Sequence, residues 1–172
     1  RMVRHTRPWW FKVLTGVGLV AWLPILQQIW FAARASQTAS SWKPHVTEAQ
    51  ALGEALATVH PNAPHLPWAL VIVVLLGAGT LLRHRSRWVV GAWAFLVWLY
   101  VLVASSRNAE LRYDWGGIWY NDVHRILALI PVVAVPMASA GAVALVHWVV
   151  SRARRTAARA ARSPRATQGV RA

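Results

Sequence analysis

Four long apolar runs separated by short polar stretches dominate the chain. The first covers Trp9 to Ala33 with a single charge, Lys12, near its start. The second, His65 to Leu82, carries the core WALVIVVLLGAGTLL. The third, Trp88 to Ser105, reads WVVGAWAFLVWLYVLVAS, and the fourth, Ile126 to Val150, reads ILALIPVVAVPMASAGAVALVHWVV. A helix needs about 20 apolar residues to cross a bilayer, with a range of roughly 17 to 25. All four runs reach that length, the second and third narrowly. Helices are the form expected, because open strands would leave backbone groups unpaired in lipid. The pattern predicts an all-α integral membrane protein with four transmembrane helices at about 9–33, 65–82, 88–105 and 126–150.

The connecting segments refine this picture. The loop 34–64 contains Thr47-Glu48, a helix-start pair, followed by Ala51, Leu52, Ala55, Leu56 and Val59 at helical spacing. This predicts a short amphipathic helix lying on the outer membrane face, ended by Pro61, Pro64 and Pro67. The loop 106–125 is read as a connection. In the fourth run, Pro131 and Pro136 should bend the helix. Ala138, Ser139, Ala140, Gly141 and Ala142 form a surface for close helix packing.

Charge then sets orientation. With a cytoplasmic N-terminus, the inner side holds Arg1, Arg4, Arg7, Lys12, Arg83, Arg85, Arg87 and the Arg-rich segment 152–172. The outer side holds only Arg34, Lys43, Arg107, Arg112 and Arg125. All five acids, Glu48, Glu54, Glu110, Asp114 and Asp122, also fall outside. The excess of inner cations predicts an N-in/C-in topology in the plasma membrane. A four-span region, 1–151, is followed by a basic cytoplasmic tail, 152–172, suited to continue as a helix on an anionic leaflet.

Composition agrees. Hydrophobic residues make up 56% of the chain and charged residues 14%, against roughly 25% charged in a soluble domain. The 12 Trp suit interfacial anchoring. Absent cysteine excludes disulfides and thiol chemistry. The net charge of +14 flanks apolar runs instead of forming an aromatic-interleaved basic face, so no nucleic acid is expected as partner. An Arg precedes the first Met, which reads as a C-terminal fragment of a larger membrane protein.

Candidate chemistry is confined to the outer loops, above all to DWGGIWYNDVHRI, Asp114 to Ile126. Asp122 is placed to cap the fourth helix, with Arg125 about one turn further on the same face. Two readings stand at this point. In one, Trp119 and Tyr120 form an interfacial belt, Asp122 is a cap and Arg125 snorkels to the surface. In the other, Trp119, Tyr120, Asn121, Asp122 and Arg125 bind a substrate, with Arg125 and the helix-start amides holding a lipid phosphate. His45, His60, His65 and His124 lack the spacing of a zinc helix. No cofactor is therefore predicted, and a divalent metal is the weaker option. No acid or base lies within the middle of a run, which argues against a small transporter.

The stretch IWYNDVHRILALIPVVAVPMASAG, Ile118 to Gly141, resembles the WYND…R…ALIP…P…G segment of a family of actinobacterial Ala- and Leu-rich multi-pass membrane proteins. These in turn look like C-type glycosyltransferases (GT-C). The motif match covers about 24 residues; the spacing of runs and loops fits more loosely. Heavy Arg and Ala use, with only Lys12 and Lys43 as lysines, fits such a source. The resemblance implies transfer from a polyprenyl-phosphate-linked sugar in cell-envelope glycan assembly. It carries over Trp119, Tyr120, Asn121, Asp122 and Arg125, with His124 at a variable position, and places the catalytic carboxylate outside this fragment. The implied partners are membrane lipid, the lipid-linked sugar and the remaining helices of a longer chain or partner subunit. The alternative is a non-enzymatic membrane scaffold or assembly subunit.

Overall fold

The computed structural model describes residues 8–40, 42–59, 65 and 67–162. The expectations on His60, Pro61, Pro64, the N-terminal arginines and the segment from 163 onward lie outside them. Among the described residues the regular structure is all helical: α1 (Trp9–Ala32), α2 (Glu48–Ala57), α3 (Trp68–Leu81), α4 (Arg87–Ser105), α5 (Ala109–Gly116), a 3₁₀ turn (Gly117–Trp119) and α6 (Val123–Arg162).

Three helices are long and apolar enough to cross a membrane: α1, α4 and α6. The second run is shorter than its sequence suggests. Pro67 takes the N-cap of α3, so only 14 residues are helical, about 21 Å of rise. By contrast α6 begins at Val123 and continues for 40 residues, about 60 Å, passing through Pro131, Pro136 and the 151/152 boundary without a break. The basic segment therefore starts as a rigid extension of the last apolar helix.

The core lies where α3, α4 and α6 meet. Leu99, Tyr100 and Val103 of α4 and Ile126, Ile130 and Met137 of α6 are fully buried there. The pairing of α3 with α6 is the most extensive, and glycine makes it possible. A Cβ on Gly77 would stand 1.7 Å from the Met137 carbonyl oxygen, and one on Gly141 1.9 Å from that of Val73. The small-residue stripe expected to meet another helix thus meets α3 of the same chain.

The short amphipathic helix is present as α2. Thr47 caps it, its hydroxyl accepting from the Gln50 amide at 3.3 Å. What covers its alanine stripe is α4, not lipid: Ala51 and Ala55 are fully buried against it. Small side chains let the two backbones approach, and a polar lock holds the contact. The Tyr100 hydroxyl donates to Glu54 at 2.8 Å, and the Gln50 amide donates to the other carboxylate oxygen at 3.2 Å. Glu54 is buried, and the sequence pattern gave no sign of it.

No residue of α1 is buried. Its C-terminal end, at Trp30 and Arg34, meets α5 and the 3₁₀ turn, and that junction brings the first loop onto the second.

Candidate functional site

The segment 106–125 is a folded cap, not a connection. Asn108 starts α5, its Oδ1 accepting from the Leu111 amide at 3.0 Å. The short helix ends at Gly116 and tightens into the 3₁₀ turn. Tyr120 (φ 61°) and Asn121 (φ 55°) then take left-handed backbone conformations. Asn tolerates that region; a bulky residue does so at roughly 1–2 kcal/mol. The reversal returns the Tyr120 amide to the Gly117 carbonyl at 3.1 Å and the Asn121 amide to that of Gly116 at 3.0 Å. Gly116 is required at this point, since a Cβ would lie 2.5 Å from Asn121 Oδ1 and 2.7 Å from a Val103 methyl.

Two arginines weld the segments 34–43 and 106–125 together. Arg112 is buried beneath the cap. Its Nε donates to the Val103 carbonyl at 3.0 Å, one of the carbonyls left free at the end of α4, and its Nη2 donates to the Trp42 carbonyl. Burial draws its pKa below the usual arginine value. Arg34, just past α1, donates through Nη1 to Asp114 Oδ1 and through Nη2 to the Asp114 carbonyl, both at 3.0 Å. Its guanidinium stands 4.3 Å from the Phe31 ring centroid. The Trp30 indole donates to the same Asp114 carbonyl at 2.9 Å, and the Tyr113 hydroxyl donates to the Ala35 carbonyl at 2.9 Å.

Because Asp114 is half exposed, the Arg34 junction owes more to hydrogen bonding and ring packing than to charge. Arg34→Met is expected to weaken α1 docking about tenfold, the worth of one to two hydrogen bonds. Spin-label distances between α1 and α5 in nanodiscs should broaden; an unchanged distribution would refute the clamp.

Between these welds lies a polar pocket of about 420 Å³, lined by Gln37, Ser40, Trp42, Lys43, Glu110, Arg112, Tyr113 and Asn121, with Ala109. It holds two cations, one carboxylate, two amides and two aromatic rings, a set suited to a hydroxyl-rich or anionic ligand. The motif is divided around it. Asn121 is 4% exposed and forms part of the pocket wall, its side-chain amide donating to the Ser40 carbonyl at 3.4 Å. Trp119 packs edge-on against Trp30 at 6.0 Å and belongs to the α1 junction.

Tyr120, Asp122 and Arg125 come together on the outside. Asp122 Oδ1 accepts from the His124 amide at 2.9 Å, the expected cap on α6. Its Oδ2 meets Arg125 Nε at 3.3 Å, and the guanidinium stands 4.7 Å from the Tyr120 ring centroid. Arg125 stays 58% exposed, so the ends of its guanidinium can still meet an anion. The His124 ring packs edge-on against Trp42 at 5.9 Å, which joins this cluster to the pocket.

Arg34, Arg112, Ser40, Lys43 and Glu110 were not singled out by sequence reasoning. Each lies in a loop or short helix without periodicity, and Arg34, Arg112 and Ser40 meet partners 70 to 81 positions away. Among the described residues, no three His, Asp or Glu side chains gather as a metal site would.

Neither a curated protein nor a solved structure matches the chain. Residues 1–172 match the family described as "Family of unknown function (DUF6541)", and the chain belongs to that family.

Proposed function

We propose that this chain is the C-terminal membrane region of a glycosyltransferase-like protein that uses a polyprenyl-phosphate sugar donor in cell-envelope glycan assembly. It sits in the plasma membrane with four spans, α3 being the short one, and an N-in/C-in topology. The cap and its pocket then face the extracytoplasmic side. One observation supports this reading above the resemblance. An exposed guanidinium, oriented by Asp122 and Tyr120, adjoins a polar, aromatic-walled pocket through Asn121 and the Trp42–His124 contact.

In this reading Arg125 takes the donor phosphate through its Nη1 and Nη2 groups, while Nε stays on Asp122. Asp122 fixes its direction and the start of α6, and the pocket accommodates sugar. Neither residue moves a proton; the resemblance assigns that step to a carboxylate outside this fragment. Charge-assisted hydrogen bonds are worth about 1.5–3 kcal/mol. Arg125→Ala should therefore weaken binding of a labelled polyprenyl-phosphate sugar by about 10- to 100-fold, and transfer by the full-length protein should fall in step. Asp122→Asn, which keeps the cap, should give a smaller loss. Wild-type binding and rates in both variants would remove the site.

The unburied length of α1 favours a second reading, a non-enzymatic scaffold or assembly subunit. A helix without buried residues beside a packed bundle is open to the remaining helices of a longer chain or to a partner subunit. Donor binding that leaves transfer undetectable in every longer form of the protein would favour it.

A further inference from the structure

The opposite end of the α3–α6 pair carries a second recess. Leu76 and Thr80 of α3 and Ala144, Leu145 and Trp148 of α6 line an apolar groove of about 390 Å³. Leu76 and Thr80 are one helical turn apart, and Leu145, Trp148 and Arg152 lie at i, i+3 and i+7, so each set forms one stripe along its helix. Both stripes run in the same sense, from apolar to basic. Below Trp148 the Arg152 guanidinium stands 5.5 Å from the Trp148 ring centroid. Beyond Thr80 the chain turns through Arg83, His84, Arg85 and Arg87 into α4, and α6 continues through Arg154, Arg155 and Arg159. All five acids of the chain lie elsewhere, between positions 48 and 122. The groove is thus an apolar slot opening onto cations with no acid on either bordering segment.

We propose that this groove is a binding site for one anionic phospholipid, with an acyl chain along Leu76, Leu145 and Trp148 and the phosphate at Arg152. Its dimensions and lining suit a flexible hydrocarbon, and a cation at the interfacial end selects a negative headgroup by charge. Trp148 orients Arg152 by cation–π contact, so the charge is presented at the groove mouth instead of ranging over the surface. The proposal rests on α3 and α6 crossing the bilayer and is independent of any sugar transfer.

The test uses the whole chain in nanodiscs of mixed phosphatidylglycerol and phosphatidylcholine. Phosphatidylglycerol should be retained preferentially in native mass spectra after mild detergent release. Arg152→Gln should lower that preference about fivefold, the worth of one interfacial cation. Ala144→Trp, which fills the groove, should abolish it while Arg152 remains. In the wild type, phosphatidylglycerol bearing a photoreactive acyl chain should cross-link mainly to peptides containing residues 76–80 and 144–148. Equal retention of the two lipids, or adducts spread evenly along α1 and α4, would overturn the proposal. So would cross-links between copies of the chain at these residues, since a protein partner would then occupy the groove.

Discussion

Gly141→Val is expected to separate α6 from α3 and to produce the largest loss of stability of any single change in this protein. A Cβ at this position would lie 1.9 Å from the Val73 carbonyl oxygen and 2.8 Å from the Gly77 amide nitrogen. Both are backbone atoms, so no side chain can swing aside. Ordinary contact needs 3.4 Å or more, and the helices must part by more than 1 Å along their closest approach. In lipid that contact has no hydrophobic force behind it; it rests on close packing, which a gap removes. Overpacking of this kind costs about 3 kcal/mol or more. Unfolding in mixed detergent micelles should show the loss as a shifted midpoint. Gly79→Ala is the control on the facing helix α3, because nothing stands within 4 Å of the added carbon. It should be neutral or slightly stabilising. Equal effects from the two substitutions would mean that the Gly77–Gly141 crossing does not hold the bundle together.

Arg112→Met is expected to open the cap formed by residues 106–125. The arginine satisfies the Val103 carbonyl at the end of α4 and the Trp42 carbonyl in the first loop. Methionine keeps much of the apolar stem and removes every donor. Two acceptors then lose their partner, and a buried acceptor left unpaired costs about 1–3 kcal/mol. Residues 37–43 lose their tie to α5, so the pocket loses one wall. Hydrogen exchange in residues 37–43 and at the end of α4 should rise at least tenfold, with little change in α3. Arg107→Met alters an exposed arginine nearby and should leave exchange unchanged. Arg112→Lys should restore part of the protection, since one ammonium can reach one carbonyl but lacks the planar fork that spans two. Wild-type exchange in Arg112→Met would show that the cap is held by other contacts.

Where the physics is local, the sequence pattern and the structure agree. The apolar runs of α1, α4 and α6 appear where expected because length and hydropathy alone decide them. Thr47 and Asp122 cap their helices through contacts two or three residues away, and the small-residue stripe around Gly141 is a close-packing face. The second apolar run forms a shorter helix than its length predicts, because Pro67 delays the start of α3. Within 106–125, α5 has no amphipathic period that local pattern could reveal.

What only the tertiary structure decided is which loop residues meet. Arg34 and Asp114 are 80 positions apart, and Arg112 and Trp42 are 70 apart. No periodicity encodes such pairs; they follow from where α3, α4 and α6 set the ends of the loops. The left-handed turn at Tyr120 and Asn121 likewise separates five neighbouring motif residues into a junction, a pocket wall and an exposed cluster. By itself, the sequence determined an all-helical protein with several apolar helices long enough to cross a membrane, because burial in lipid depends on each segment's own composition. The tertiary structure decided that the segments around residues 37–43 and 109–121 form one pocket, because that depends on backbone direction and helix crossing, which composition does not contain.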